Sequence, residues 1–403
     1  MVLVELPRSL RSLNQPALRL FFAGQSVSLL GTWMQPVAQQ WLVWRLTGST
    51  QMLGLLTFCS QLPSLLLGAW AGSIAERVPR KTVVVVSLTV ATLQATILAT
   101  LALTGWVRPT HVLLLGVMLG LTFPFEIPAR QMMLAELAGE DLPNVVALNS
   151  TLVTLMRILG PSLGGLIVAR YGEGWCFAVN ALSFLAVIAA IVALPLAPAS
   201  QHPAALSVPI SEAVKWAWHQ PGVRALFFLL VAFSAVGQAW GTLIPAWVAT
   251  VLHGGPEVLG QLLSFGGAGA LLAAMLLLLA ETGQEWRVGV GGLVMAAGIF
   301  GLSTTASTVP AAFAMFFIGL GQITQSSGIL TELQQRSPPH LRGRLLGLYT
   351  MVFVGTVPIG AIAAGWIAGQ LGAPFTLRCV GVVLGLSAAL YLAQWARAQS
   401  RSA

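Results

Sequence analysis

Long apolar stretches alternate along this chain with short polar breaks, and the breaks hold most of its charge. A bilayer-crossing helix needs about 20 largely apolar residues. On that measure the pattern predicts spans near residues 16–45, 51–74, 82–104, 110–131, 144–168, 175–196, 223–250, 257–280, 287–305, 309–332, 345–369 and 374–396, twelve in all. Most connections are too short to fold independently. The longest break, residues 197–222, starts as a linker rich in Pro, Ser and Ala. It continues into "SEAVKWAWH", whose Ser N-cap signal and two tryptophans predict a short helix lying along the membrane surface.

Composition agrees. The 403 residues are 56% hydrophobic and 8% charged, with mean hydropathy +0.84, whereas soluble domains carry roughly 25% charged residues. The expected class is all-α integral membrane, because in lipid every backbone polar group must be satisfied within the chain. The net charge of +8 forms no basic patch, so no nucleic-acid partner is expected. Its distribution instead sets orientation. With a cytoplasmic N-terminus, fifteen Lys and Arg fall inside, four (Arg45, Arg108, Arg170, Arg378) outside, and Arg157 within the membrane. Trp41, Trp44, Trp106 and Trp175 then sit near the outer interface. Both termini are expected in the cytoplasm. The start "MVLVELPRSLRSLNQP" lacks a signal-peptide pattern, so the first apolar run is expected to remain as an anchor.

The two halves repeat weakly. "PALR" (16–19) matches "PGVR" (221–224), "MLGLL" (52–56) matches "VLGQLL" (258–263), "EIPARQMMLAEL" (126–137) matches "QITQSSGILTEL" (322–333), and "VARYG" (168–172) matches "IAGQLG" (367–372). The matches run in order at a nearly constant offset. They imply two six-helix bundles, residues 1–196 and 223–403, joined by a cytoplasmic linker with its interfacial helix at 197–222. Both copies start on the same side, so the repeats are parallel, with a cavity expected between them.

Candidate cavity residues follow from helical spacing. Gln25, Ser28, Thr32, Gln35 and Gln39 step by 3 or 4 residues along one face of the first span, a stripe of roughly 21 Å. One or two such residues would read as hydrogen-bonding glue between helices; five in register favour a ligand-facing surface. Ser234, Gln238 and Thr242 repeat the idea in the seventh span, and Gln322, Thr324, Gln325 and Ser326 in the tenth. Arg157 lies near the midplane, where a charge costs about 2.5–3.5 kcal/mol on insertion scales. Two readings stand for it: a structural partner for helix carbonyls or a carboxylate, and an anchor for an anionic substrate. Glu126, with Arg130 one helical turn on, reads as an ion pair at an inner gate and as the candidate proton carrier. "GPSLGG" (Gly160, Pro161, Gly164, Gly165) and "SFGGAGA" (264–270) offer small-residue faces for close packing, expected where the halves slide.

The compact charge cluster Glu76, Arg77, Arg80, Lys81 lies in "GSIAERVPRK" (72–81), between the second and third spans. This stretch resembles the signature of the major facilitator superfamily at that loop, with Glu76 for the usual Asp and Pro79 for the usual Gly. "GPSLGG" resembles the antiporter motif of its drug exporters. "FFAGQSVSLLGTWMQPVAQQWLV", "EIPARQMMLAEL" and "DLPNVVALNS" are most similar to bacterial exporters of the enterobactin and macrolide type. The resemblance covers the whole chain and implies alternating access. It also implies a latch in which Glu76 faces the start of the eleventh helix, near Arg342 and Arg344, and Arg77 or Arg80 pairs with Glu126. The fourth-span arginine usual in proton-coupled drug exporters is absent; Gly116 holds its place.

The expectation is a secondary active transporter that exports a small amphipathic molecule, siderophore-like or drug-like, coupled to protons. A lipid, lysophospholipid or metabolite transporter is the alternative within that class, and a membrane receptor that transports nothing the alternative outside it. An enzyme is not expected: His111, His253 and His340 have no convergent partners, and no GxxxxGK[ST] nucleotide motif occurs. Cys59, Cys176 and Cys379 form no metal or disulfide pattern. No cofactor or metal is expected. Because both bundles lie in one chain, a monomer is.

Overall fold

The computed structural model describes residues 8–194, 210–279 and 285–402 and is helical, with no strand among them. After a short 3-10 helix at Arg8–Asn14 come α1 (Pro16–Thr47), α2 (Thr50–Arg77), α3 (Arg80–Leu103), α4 (Pro109–Gly120), α5 (Phe123–Ala138), α6 (Leu142–Tyr171) and α7 (Glu173–Ala193). The amphipathic α8 (Ile210–His219) follows, then α9 (Pro221–Val231), α10 (Trp240–Val251), α11 (Pro256–Leu278), α12 (Trp286–Thr304), α13 (Thr308–Arg336), α14 (Arg342–Leu371) and α15 (Ala373–Ser402). Eleven segments among the described residues are long and apolar enough to cross a membrane, counting α4–α5 and the α9–α10 stretch as one each. The 32-residue α1 is also long enough to span; its stripe of Gln, Ser and Thr keeps it outside that set.

Turn chemistry sets the boundaries. Prolines with no N–H to lose open α4, α9 and α11 near their first residue. The repeated segments 168–172 and 367–372 end alike: Gly172 (φ 87°) and Gly372 (φ 84°) each return an N–H to a carbonyl four residues back, at 2.9 Å. Those left-handed positions are ones that glycine reaches without strain.

By its contacts the chain forms two compact units, residues 1–42 with 62–203 and residues 43–61 with 204–403. The division thus falls inside α1 and α2, where the repeat had suggested whole helices. In the first unit Leu18, Phe21, Val84, Leu88, Met133 and Val187 are buried together. In the second, α11, α12, α13 and α15 pack closely. Residues 43–61 join that unit through backbone proximity: Thr50 Oγ1 donates to the Gly365 carbonyl at 2.8 Å, and a methyl added at Gly54 would lie 2.6 Å from the Ala361 carbonyl oxygen. Apolar side chains gain nothing by leaving lipid, so approach of this kind carries helix association.

Two predicted spans are interrupted. The span expected at 110–131 breaks at Leu121–Thr122 and restarts as α5. Pro124 cannot donate to the Gly120 carbonyl and its ring crowds it; the Thr122 hydroxyl turns back to the Leu119 carbonyl at 2.7 Å. The span expected at 223–250 passes through a π-helical turn, Ala232–Val236, and a 3-10 turn, Gly237–Ala239. There Gly360 lets α14 run against the Ala235 carbonyl.

Candidate functional site

The break before α5 places Glu126 in the first turn of a half-helix, within a membrane span. Backbone N–H groups at such a terminus favour a carboxylate. Glu126 accepts from Arg130 one turn on, and Arg130 also donates to the side-chain oxygen of Gln25 on α1. Each side chain of the ion pair is 14% exposed, and Arg130 Nε has no partner among the described residues. A carboxylate, a guanidinium and an amide thus share one small volume of the first unit. Removing the negative charge, by protonation for instance, would leave Arg130 to seek another acceptor.

The rest of the α1 stripe divides. Gln35 is 2% exposed; its amide N–H donates to Gln94 Oε1 of α3 at 3.1 Å, and its oxygen accepts from Asn180 of α7. Ser183 Oγ donates to Asn180 Oδ1 at 3.0 Å. This is a buried polar network joining three helices, the glue reading for that position. Asn180 and Gln94 carried no mark in the sequence reading beyond being polar in apolar spans. Ser28 is buried and its carbonyl accepts from Thr32, which is half-buried. Gln39 is buried, with its Nε2 unpartnered among the described residues.

Arg157 is half-buried on α6, with its guanidinium 4.9 Å from the Trp33 ring centroid and its Nε unpartnered among the described residues. The aromatic face meets its charge without quenching it. Pro161 and Gly165 are buried beside it. The glycine seam lies inside the first unit: a methyl at Gly160 would sit 2.5 Å from Trp33 Cβ, and one at Gly164 3.0 Å from the Met34 backbone. These glycines serve a close approach of α6 to α1.

In the second unit the π-helical turn carries Ser234, whose hydroxyl bonds to the Leu230 carbonyl and to Thr356 Oγ1 of α14. Gln322 Nε2 donates to Gln238 Oε1 at 3.3 Å, bringing together two of the predicted residues. Thr324 turns back to the Leu320 carbonyl. Gln325 is fully buried with neither amide atom partnered among the described residues. The same unit holds an aromatic row that the sequence reading missed. Phe233 stacks on Phe353 (5.9 Å, 25°), which stacks on Tyr349 (6.0 Å, 6°). The spacing of Tyr349 and Phe353, one turn apart, was the available signal.

Of the two arginines expected to pair with Glu126, Arg80 is the one whose side chain is described, and it takes another acid. Arg80 pairs with Glu136 at 2.8 Å, while Glu126 holds Arg130. Glu136 stands ten residues beyond Glu126, about 15 Å along a helix, which brings it level with the start of α3. Lys81 donates to the carbonyls of Val192 (2.7 Å) and Leu194 (2.9 Å), satisfying the end of α7. The side chains of Glu76 and Arg77 lie outside the described residues. No group of three or more His, Cys, Asp and Glu side chains among the described residues could hold a metal.

Helices broken within candidate membrane spans around polar groups, in a two-unit helical chain, are the pattern of a membrane transporter. The chain belongs to the transmembrane secretion effector family of the major facilitator superfamily, whose model matches residues 8–401. It is 24% identical over 374 residues to the staphyloferrin A transporter of Staphylococcus aureus, covering 90% of this chain and 92% of that one. It is 27% identical over 374 residues to the multidrug efflux pump Tap of Mycolicibacterium fortuitum, covering 89% and 90%. Among solved structures, the nucleoside transporter NupG superposes with TM-score 0.78 at 12% identity over 94% of this chain and 99% of that one. A bacterial homologue of the human lysosomal transporter Spinster, inward-facing and unoccupied, gives 0.73 at 14% over 93% and 95%. Those two likenesses concern the fold. The protein is a multi-pass membrane transporter of a family with bacterial members, consistent with alternating access.

Proposed function

We propose that this transporter exports a small amphipathic molecule, siderophore-like or drug-like, across the cytoplasmic membrane of a bacterium, driven by inward proton flow. It works as a monomer of two six-helix halves, with both termini in the cytoplasm and no enzymatic activity of its own. The observation that carries the reading is the Glu126–Arg130–Gln25 cluster at the start of a half-helix inside a span. Protonating Glu126 would release Arg130, and loading that proton is the step that exchanges for substrate. Gln238 and Gln322, with the rings of Phe353 and Tyr349 in the same unit, supply amides and aromatic faces suited to an amphipathic guest. Arg157, held by Trp33, supplies a positive centre for an anionic one. The staphyloferrin A and multidrug relatives support both substrate classes.

The test is uptake into everted vesicles under an imposed proton gradient, with an anionic catecholate siderophore and a lipophilic cationic dye offered in parallel. Siderophore uptake that Arg157→Ala abolishes supports an anion exporter with Arg157 in its site. Dye uptake indifferent to that change supports a drug pump in which Arg157 is structural. Uptake of neither, with binding of one retained, would replace the transport reading with that of a receptor.

A further inference from the structure

A cavity separate from the polar groups above opens in the second unit near the ends of α9, α13 and α15. It has a volume of about 630 Å³, and its wall includes Gly222, Arg224, Phe228, Arg336, Tyr391 and Arg397. Arg336 forms the floor, ion-paired to Glu285 at 2.5 Å and to Glu332 at 3.2 Å and pressed against Gly222. Its charge is therefore answered. Arg224 and Arg397 are different: both are exposed, and neither has a carboxylate within ion-pair distance among the described residues. Arg224 stands over the Trp218 ring of the amphipathic α8 at 5.7 Å, and the same ring meets Phe228 edge-on at 6.1 Å.

What lies along the helices from these two arginines identifies the guest. On α9, Phe228 (60% exposed) and Val231 (41%) follow Arg224 at steps of four and three residues. On α15, Leu390 (64%) and Leu386 (60%) precede Arg397 by seven and eleven residues, on the same face. Each helix thus presents a cation at its end and an exposed apolar stripe running away from it. The two helices contact each other. A cationic head position above two apolar tracks is the complement of a phospholipid with a net negative headgroup. Basic pockets between spans at the cytoplasmic face suit such headgroups, and the tryptophans of α8 suit the interface.

We propose that this pocket holds one anionic phospholipid, its phosphate between Arg224 and Arg397 and its acyl chains along the Phe228–Val231 and Leu390–Leu386 tracks. The inference rests on the membrane orientation proposed above and is independent of the exported substrate. Native mass spectrometry of the purified full chain tests it, with phosphatidylglycerol, phosphatidylcholine or inorganic phosphate added. The expected result is one tightly retained phosphatidylglycerol, bound roughly 30-fold more weakly by the Arg224→Gln/Arg397→Gln double variant. Phosphatidylcholine should not distinguish the two proteins, and Arg170→Gln, an exposed arginine of the other unit, should behave as wild type. Equal retention of phosphatidylglycerol by wild type and double variant overturns the proposal, as does inorganic phosphate displacing the lipid at comparable concentration. Either result leaves the vesicle uptake assay untouched, so failure here and failure of the export reading are distinguishable.

Discussion

The Glu126–Arg130 pair gives the sharpest test of the first unit. Each side chain is 14% exposed, so Glu126→Gln leaves a largely buried guanidinium with the Gln25 oxygen as its remaining acceptor. Breaking a buried pair from one side costs about 3 kcal/mol at the low end of the usual range. Removing both charges costs much less, because no uncompensated charge is left behind. The expected single-variant loss corresponds to a fall in melting temperature of roughly 6–12 °C for a unit of this size. The Glu126→Gln/Arg130→Gln double variant should fall by only about 3 °C. Thermal unfolding of the purified protein in one detergent, followed by size-exclusion of the surviving fraction, ranks Glu126→Gln, Arg130→Gln and the double variant. If the double variant loses as much as the two singles together, the charges act independently and the pair is not the buried unit described. The same proteins, reconstituted with an imposed proton gradient, separate structure from coupling. Glu126→Gln should exchange substrate across the membrane yet fail to concentrate it. Gradient-driven accumulation at the wild-type level would refute a proton-carrying role for Glu126.

Two further outcomes follow from other parts of the molecule. Hydrogen bonds from Arg11 (2.8 Å from Nε) and Ser12 (2.7 Å) hold the Asp141 carboxyl below the usual carboxylate range, so this clasp on the N-terminal 3-10 helix is complete above that range and lost as the pH falls through the lowered value; hydrogen exchange at residues 8–14 should rise at strongly acid pH, and Asp141→Asn should show raised exchange already at neutral pH. A methyl at Gly160 would meet Trp33 Cβ at 2.5 Å, whereas one at Gly347 meets nothing within 4 Å, so Gly160→Ala should destabilise by about 1–3 kcal/mol while Gly347→Ala gains about 0.5–1 kcal/mol, opposite signs read from melting temperatures.

The legible part of the structure was whatever depends on run length and spacing. Span centres, the 210–219 helix and the glycine ends at 172 and 372 all follow from apolar length, capping residues and repeat alignment. What escaped depends on which neighbour a side chain meets. Five polar residues in register on α1 do face into the protein, yet Gln35 meets Gln94 and Asn180, Gln25 meets Arg130, and Gln39 Nε2 has no partner among the described residues. Periodicity selects a face and is silent about its partner. The loop cluster shows the same limit, since two acids on α5 were available to Arg80 and axial position, which spacing alone does not fix, selected Glu136. Pro124 announced the α4–α5 break. Nothing in "AFSAVGQAW" announced the π turn, which accompanies the close approach of Gly360 on another helix.

The two interruptions also bear on where the chemistry sits. Inside hydrocarbon an unpaired peptide group costs several kcal/mol, so a helix breaks at depth only where side chains, a cavity or another helix can take up the freed groups. At 121–122 the Thr122 hydroxyl turns onto one carbonyl and the new helix start faces a carboxylate one turn in. At 232–239 Ser234 donates to the Leu230 carbonyl and shares a hydrogen bond with the Thr356 hydroxyl, and Gln238 carries an amide whose Nε2 is unpartnered among the described residues. Each break thus coincides with the polar groups that the spacing of the sequence had singled out, Glu126 in one unit and Ser234 with Gln238 in the other. A turn that can change its hydrogen bonding beside a group that can change its charge or its guest is a local two-state element. Alternating access needs such elements, and the uninterrupted helices of this chain offer none as direct.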